Sequence, residues 1–111
     1  MPVEARQLDT GLTVVAISGR LVLGRDLERL ENLVNSLLLK GRKELVFDVS
    51  AMERADSSGM GTLIACLAHI RTSGGQLRVA GARPKIRRLF RMTGVDQLVS
   101  LYPTVAEAAT A

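Results

Sequence analysis

The sequence predicts a mixed α/β fold, with a sheet of four to five strands joined by helices. Three observations carry this. Short runs rich in β-branched and aliphatic residues recur at Leu12–Ser18, Glu44–Val49 and Gln76–Ala80. Between them lie longer segments whose apolar residues return at helical spacing. Glycines punctuate the joins at Gly11, Gly41, Gly74-Gly75 and Gly94. Strands alternating with helices imply mostly parallel neighbours joined by right-handed crossovers.

Val3 to Leu8 alternates weakly and reads as an edge strand. Asp9-Thr10-Gly11 is a turn, and Leu12 to Ser18 returns as a second strand ended by Gly19, so the chain opens with a hairpin. Asp26 caps, or lies in the first turn of, a helix running to about Lys40. Leu27, Leu30, Leu33, Val34, Leu37 and Leu38 form its apolar face, and Gly41 follows as a terminator. Glu44 to Val49 is largely apolar, as a central strand is.

Ser50 to Asp56 reads as a connection. A second helix starts near Ser57 or Ser58, buries Met60, Leu63, Ile64, Leu67 and Ile70, and stops at Gly74-Gly75. Gln76 to Ala80 is the next strand. Pro84 opens a third helix carrying Ile86, Leu89, Phe90 and Met92, which ends at Gly94. Val99 to Leu101 adds a short strand, and Thr104 caps an alanine-rich terminal helix too short to be stable unless docked.

The chain has 111 residues, the length of a single domain spanning 1–111. Apolar residues make up 47% and charged residues 23%, a globular balance. With aromatics at 3%, aliphatic side chains must fill the core. No apolar run approaches the roughly 20 residues of a membrane span. The N-terminus, Met1 to Arg6, is too polar for a signal peptide, and a lone cysteine, Cys66, cannot form an internal disulfide. Both observations point to the cytoplasm. Cys66 sits among Leu63, Ile64 and Leu67 with no adjacent base, as a buried structural thiol does. The net charge of +4 is uneven. Arg71 to Arg91 holds seven basic residues (Arg71, Arg78, Arg83, Lys85, Arg87, Arg88, Arg91) and no acidic one. A basic face can meet an acidic partner.

The turn from a parallel strand into a helix is where open α/β sheets place function. Asp56-Ser57-Ser58-Gly59-Met60-Gly61 occupies such a turn. Asp and Ser before a helix are what capping alone selects. Two serines followed by Gly-x-Gly exceed that need: one can cap while the other points outward. A phosphate there would meet unpaired N–H groups and the positive end of the helix dipole.

Leu45-Val46-Phe47-Asp48-Val49-Ser50, a short spacer, and Ala55-Asp56-Ser57-Ser58-Gly59-Met60-Gly61-Thr62-Leu63 together resemble the signature of the STAS domain family, in its branch of bacterial anti-sigma factor antagonists. The similarity extends through Gly19-Arg20-Leu21, Gly74 to Val79 and Arg88 to Val95. The resemblance implies a mixed sheet with helices packed on one side. It also implies a binding protein that sequesters an anti-sigma factor, itself a serine kinase, and so releases a sigma factor. Phosphorylation would fall on Ser57, with Ser58 the second choice and otherwise in a structural or capping role. The partner surface would comprise Asp56, Ser57, Ser58, Gly59, Met60 and Gly61, with Arg20 and Val22 from the loop after the second strand. Relatives often carry Gly-Glu-Leu-Asp in that loop, and this chain has Gly19-Arg20-Leu21-Val22. That departure supports an alternative, a constitutive subunit of a lipid-transport or stress-sensing complex. Whether the chain forms a homodimer stays open.

Two rival classes are weaker. Ala55-Asp56-Ser57-Ser58-Gly59 resembles a nucleophile elbow with its first Gly replaced, but the only histidine, His69, lies on the following helix. At 1.5 Å per residue it is about 18 Å from Ser57, beyond the reach of a general base. No Walker sequence, dinucleotide fingerprint or metal-ligand cluster is present, so no cofactor and no enzyme activity are expected. The basic stretch could attract nucleic acid, but its residues are divided among three elements and aromatics for base stacking are nearly absent.

Overall fold

A computed structural model describes residues 3–8 and 10–111. Asp9 of the first turn, and Met1 and Pro2 of the polar N-terminus, lie outside the described residues. The elements run β1 (Val3–Gln7), β2 (Thr13–Ile17), β3 (Gly19–Leu21), α1 (Arg25–Leu39), β4 (Glu44–Asp48) and β5 (Met52–Ala55). They continue with α2 (Ser57–Thr72), β6 (Gln76–Ala80), α3 (Pro84–Thr93), α4 (Val95–Leu98), β7 (Ser100–Tyr102) and α5 (Val105–Thr110).

Five strands form one mixed sheet in the order β1-β2-β4-β6-β7. The opening hairpin pairs β1 antiparallel to β2, and every other neighbour is parallel. Central β4 explains its own sequence. Leu45 and Phe47 face the main core beneath α1, α2 and α3, while Val46 joins Val14 and Ala80 on the opposite face. Both faces are covered, so Leu45-Val46-Phe47 is apolar throughout rather than alternating. The longer helices lie on one side, as expected, and the short α5 lies on the other. It docks through Ala108, which is fully buried, and Thr104 Oγ1 caps it by accepting from Glu107 N at 3.1 Å. That docking supplies what so short an alanine-rich helix lacks alone.

The structure differs from expectation in three places that matter here. First, the connection after β4 contains β5, which pairs parallel with β3 in a separate two-stranded sheet. Gly19 N donates to Ala51 O at 2.9 Å and Asp56 N to Leu21 O at 3.3 Å, closing the pair at its two ends. Second, Gly94 (φ 81°) ends α3 and leads directly into α4, a single turn that the sequence did not suggest. Third, Ile64 is 37% exposed although counted as core. The arc of α2 that faces the sheet runs through Met60, Leu63, Leu67 and Ile70, and Ile64 falls at its edge.

Candidate functional site

The site is assembled where three chain segments meet: the end of β5, the first turn of α2 and the loop after β3. Asp48 turns the chain at the end of β4, its Oδ1 accepting from Ser50 N at 3.0 Å. The chain then runs along β3 as β5 and delivers Asp56 to the start of α2. Asp56 is the N-cap, with extended backbone (φ −100°, ψ −177°). Its Oδ1 accepts from Gly59 N at 2.7 Å, and its Oδ2 accepts from Leu23 N at 3.0 Å. One carboxylate thus closes α2 and clamps the β3–α1 loop against it. These donors hold the Asp56 carboxyl below its ordinary value of 3.8, Gly59 N–H first and Leu23 N–H second.

Ser58 therefore is not the cap. Asp56 already fills that role, and Ser58 sits half-buried within the first turn. Ser57 is the first helical residue and is exposed. The expectation of free N–H groups for a phosphate is also corrected, because Asp56 engages Gly59 N–H and stands within reach of Ser58 N–H.

The two glycines of the turn do different work. A Cβ on Gly59 would lie 2.0 Å from Leu21 O, so Gly59 allows α2 to press against the backbone at the end of β3. It does not open the turn to a partner. Gly61 is exposed with nothing within 4 Å of an added Cβ. Met60 is 2% exposed and packs in the core, so its side chain supports the turn from beneath and is not part of the surface. Of the sequence-predicted surface, Ser57 and Gly61 face solvent, Asp56 and Ser58 are half-buried, and Gly59 and Met60 point inward.

The segment from β3 into the loop before α1 lies beside this turn. Arg20 is exposed on β3 and Val22 is half-buried. Leu23, which sequence reasoning missed, is 76% exposed while its backbone N–H is tied to Asp56. Arg54 was missed with its strand. It is exposed and pairs in register opposite Arg20. The only sign of Leu23 in the sequence was an unpatterned large apolar residue just before Gly24.

His69 is exposed and its Nε2 lies 3.2 Å from Asn35 Oδ1, on the seam between α1 and α2. Cys66 is buried, and burial, with Glu31 adding to it, pushes its thiol up to about 12. Among the described residues no three His, Cys, Asp or Glu side chains gather to hold a metal ion, and no helix is long and apolar enough to cross a membrane.

Comparison with known proteins places this geometry. The STAS domain family model matches residues 3–108. A Thermotoga maritima protein assigned provisionally as an anti-sigma factor antagonist is 30% identical over 74 residues, which cover 67% of this chain and 66% of that protein. An anti-sigma factor antagonist from Mycobacterium paratuberculosis superposes with a TM-score of 0.84 at 30% identity, covering 97% of this chain and 90% of that one. The Bacillus cell fate determinant SpoIIAA in its phosphorylated form has the same fold, with a TM-score of 0.74 at 17% identity over 96% of this chain and 95% of that one.

Proposed function

Since the chain belongs to the STAS domain family, we propose that it is an anti-sigma factor antagonist switched by phosphorylation of Ser57. The observation that carries this reading is the placement of Ser57. It is exposed, follows the Asp56 cap directly, and stands beside the clamped loop that carries Val22 and Leu23, with Arg20 on the strand before it. In the unmodified form this surface binds an anti-sigma factor with serine kinase activity and so frees a sigma factor in the cytoplasm.

Phosphorylation would add about −1.5 to −2 charge at Ser57. The nearest helix donors are engaged by Asp56, so the phosphate would project its charge outward. The partner would then have to desolvate a dianion, at a cost of several kcal/mol. The chain acts by binding and not by catalysis: His69, its single histidine, is held on the α1–α2 seam, away from the first turn. A second reading has one observation in its favour. Arg20 and Val22 stand where relatives often carry acids, which suits a constitutive subunit of a lipid-transport or stress-sensing complex.

A pull-down from the source cell, with wild type, Ser57→Ala and Ser57→Asp as baits, tests the proposal. Wild type and Ser57→Ala should recover a protein containing a serine kinase domain, and Ser57→Asp should not. Equal recovery on all three baits would favour the constitutive subunit.

A further inference from the structure

Next to the Ser57 turn, four cations form a strip across three elements. Arg20 on β3 lies opposite Arg54 on β5 in the strand register. Arg54 in turn lines a cleft of about 210 Å³ together with Lys85 and Arg88 of α3. All four side chains are exposed, and none makes an ion pair among the described residues. The cleft holds no carboxylate, although Glu53 is exposed one residue before Arg54. The next cleft along α3 differs: its lining combines Asp96 with Arg87, Arg88 and Arg91, so Arg88 borders both clefts. The cleft lined by cations without a carboxylate is therefore the one on the side of α3 that adjoins β5.

The floor of the same cleft is apolar. Leu89 is half-buried in it, and Met92 stands 76% exposed at its edge. An exposed methionine is a poor solvent-facing residue and an adaptable contact for an aliphatic side chain. Three unpaired cations around an apolar slot, with Arg20 opposite Arg54 extending them, suit an occupant that is both anionic and aliphatic.

We propose that this strip is the docking site for an acidic segment of a protein partner, one in which Asp or Glu residues flank a Leu-like side chain. The acids meet Arg20, Arg54, Lys85 and Arg88, and the aliphatic side chain enters the slot beside Leu89 and Met92. Nucleic acid fits the strip less well. Base stacking needs exposed rings, yet Phe47 and Phe90 are each 1% exposed and Tyr102 belongs to the opposite face of the sheet. The strip widens the interface assigned above and rests on that reading only for which protein supplies the segment.

The test uses the intact chain and synthetic probes. A short peptide of alternating Glu and Leu, its Lys-for-Glu counterpart, phosphatidylglycerol vesicles and single-stranded RNA are each titrated while amide NMR shifts are followed. The acidic peptide should move the amides of Arg20, Arg54, Lys85, Arg88 and Met92, and its binding should weaken as salt is raised. The double variant Arg54→Glu/Arg88→Glu changes only exposed side chains and should bind it about tenfold more weakly. Ser57→Asp should still bind the peptide, so a failure of the switch is distinguishable from a failure of the strip. Shifts mapping elsewhere, no loss in the double variant, or tighter binding of RNA or vesicles at these residues would each overturn the proposal.

Discussion

The two longest helices start a few residues apart in space, and they start in opposite ways. α1 begins after Gly24 with no side-chain cap, and its first turn carries Asp26 and Glu28. α2 begins with a hydrogen-bonded cap, Asp56, and has no acid in its first turn. α1 meets its dipole with acids inside its first turn, and α2 meets its own with the single carboxylate of its cap. That same carboxylate holds Leu23 N, and so joins the two starts. The first turn of α1 already holds Arg25, Asp26 and Glu28, with Asp26 3.7 Å from Arg29, so one more charge there joins an existing set. The exposed face of the first turn of α2 is neutral at Ser57, so one phosphate transforms it. The difference supports the proposal of a switch on α2 rather than on α1.

Substitutions around the start of α2 test this contrast. The largest effect falls on Gly59→Ala. Its Cβ would meet Leu21 O at 2.0 Å, and either α2 or β3 must move. Overpacking against backbone should cost about 3 kcal/mol, read from denaturant unfolding. Asp56→Ala comes next. It leaves α2 as uncapped by a side chain as α1 and frees the loop. The Leu23 amide, protected in wild type, should then exchange with solvent as an open loop does.

Asp56 also carries a pH signature. Its carboxyl lies below 3.8 when folded, so its contribution is fully present above that value and fades as pH falls through the lower folded value. Asp56→Asn can still cap but cannot titrate, so its melting temperature should depend less on pH in the acid range than wild type. Gly61→Ala is smaller and opposite in sign. Nothing lies within 4 Å of the new methyl, and a helical alanine should stabilise by about 0.5–1 kcal/mol in thermal melts. Ser58→Ala is smallest, within about 0.5 kcal/mol, because it removes no cap. A loss as large as a missing cap would mean that Ser58, and not Asp56, closes the helix.

These outcomes also mark what the sequence could reveal. β4, β6 and the apolar faces of α1 and α3 were legible because each has an unbroken pattern, as in Leu45-Val46-Phe47 or Ile86 and Phe90. β3 and β5 were not. Met52-Glu53-Arg54-Ala55 has no β-branched residue, and it is a strand only because Gly19 to Leu21 lies alongside it. Arg54 and its place in the basic strip were hidden with it. Ser57 was legible as the exposed serine, but the cap was not, since Asp56, Ser57 and Ser58 are all good capping residues. Only the backbone geometry chooses Asp56. The inward turn of Gly59 was hidden as well, because its reason is the carbonyl of Leu21, a residue distant in sequence.

The central claim is that Ser57 governs partner binding without governing the fold. Titration calorimetry against the recovered anti-sigma factor, with thermal melting alongside, tests it on wild type, Ser57→Asp and Ser58→Asp. Ser57→Asp should melt as wild type does, since an acid in the first turn suits the helix dipole. It should bind at least about tenfold more weakly, a loss of ~1.4 kcal/mol or more. Wild-type affinity in Ser57→Asp, or the loss appearing in Ser58→Asp instead, would contradict the account.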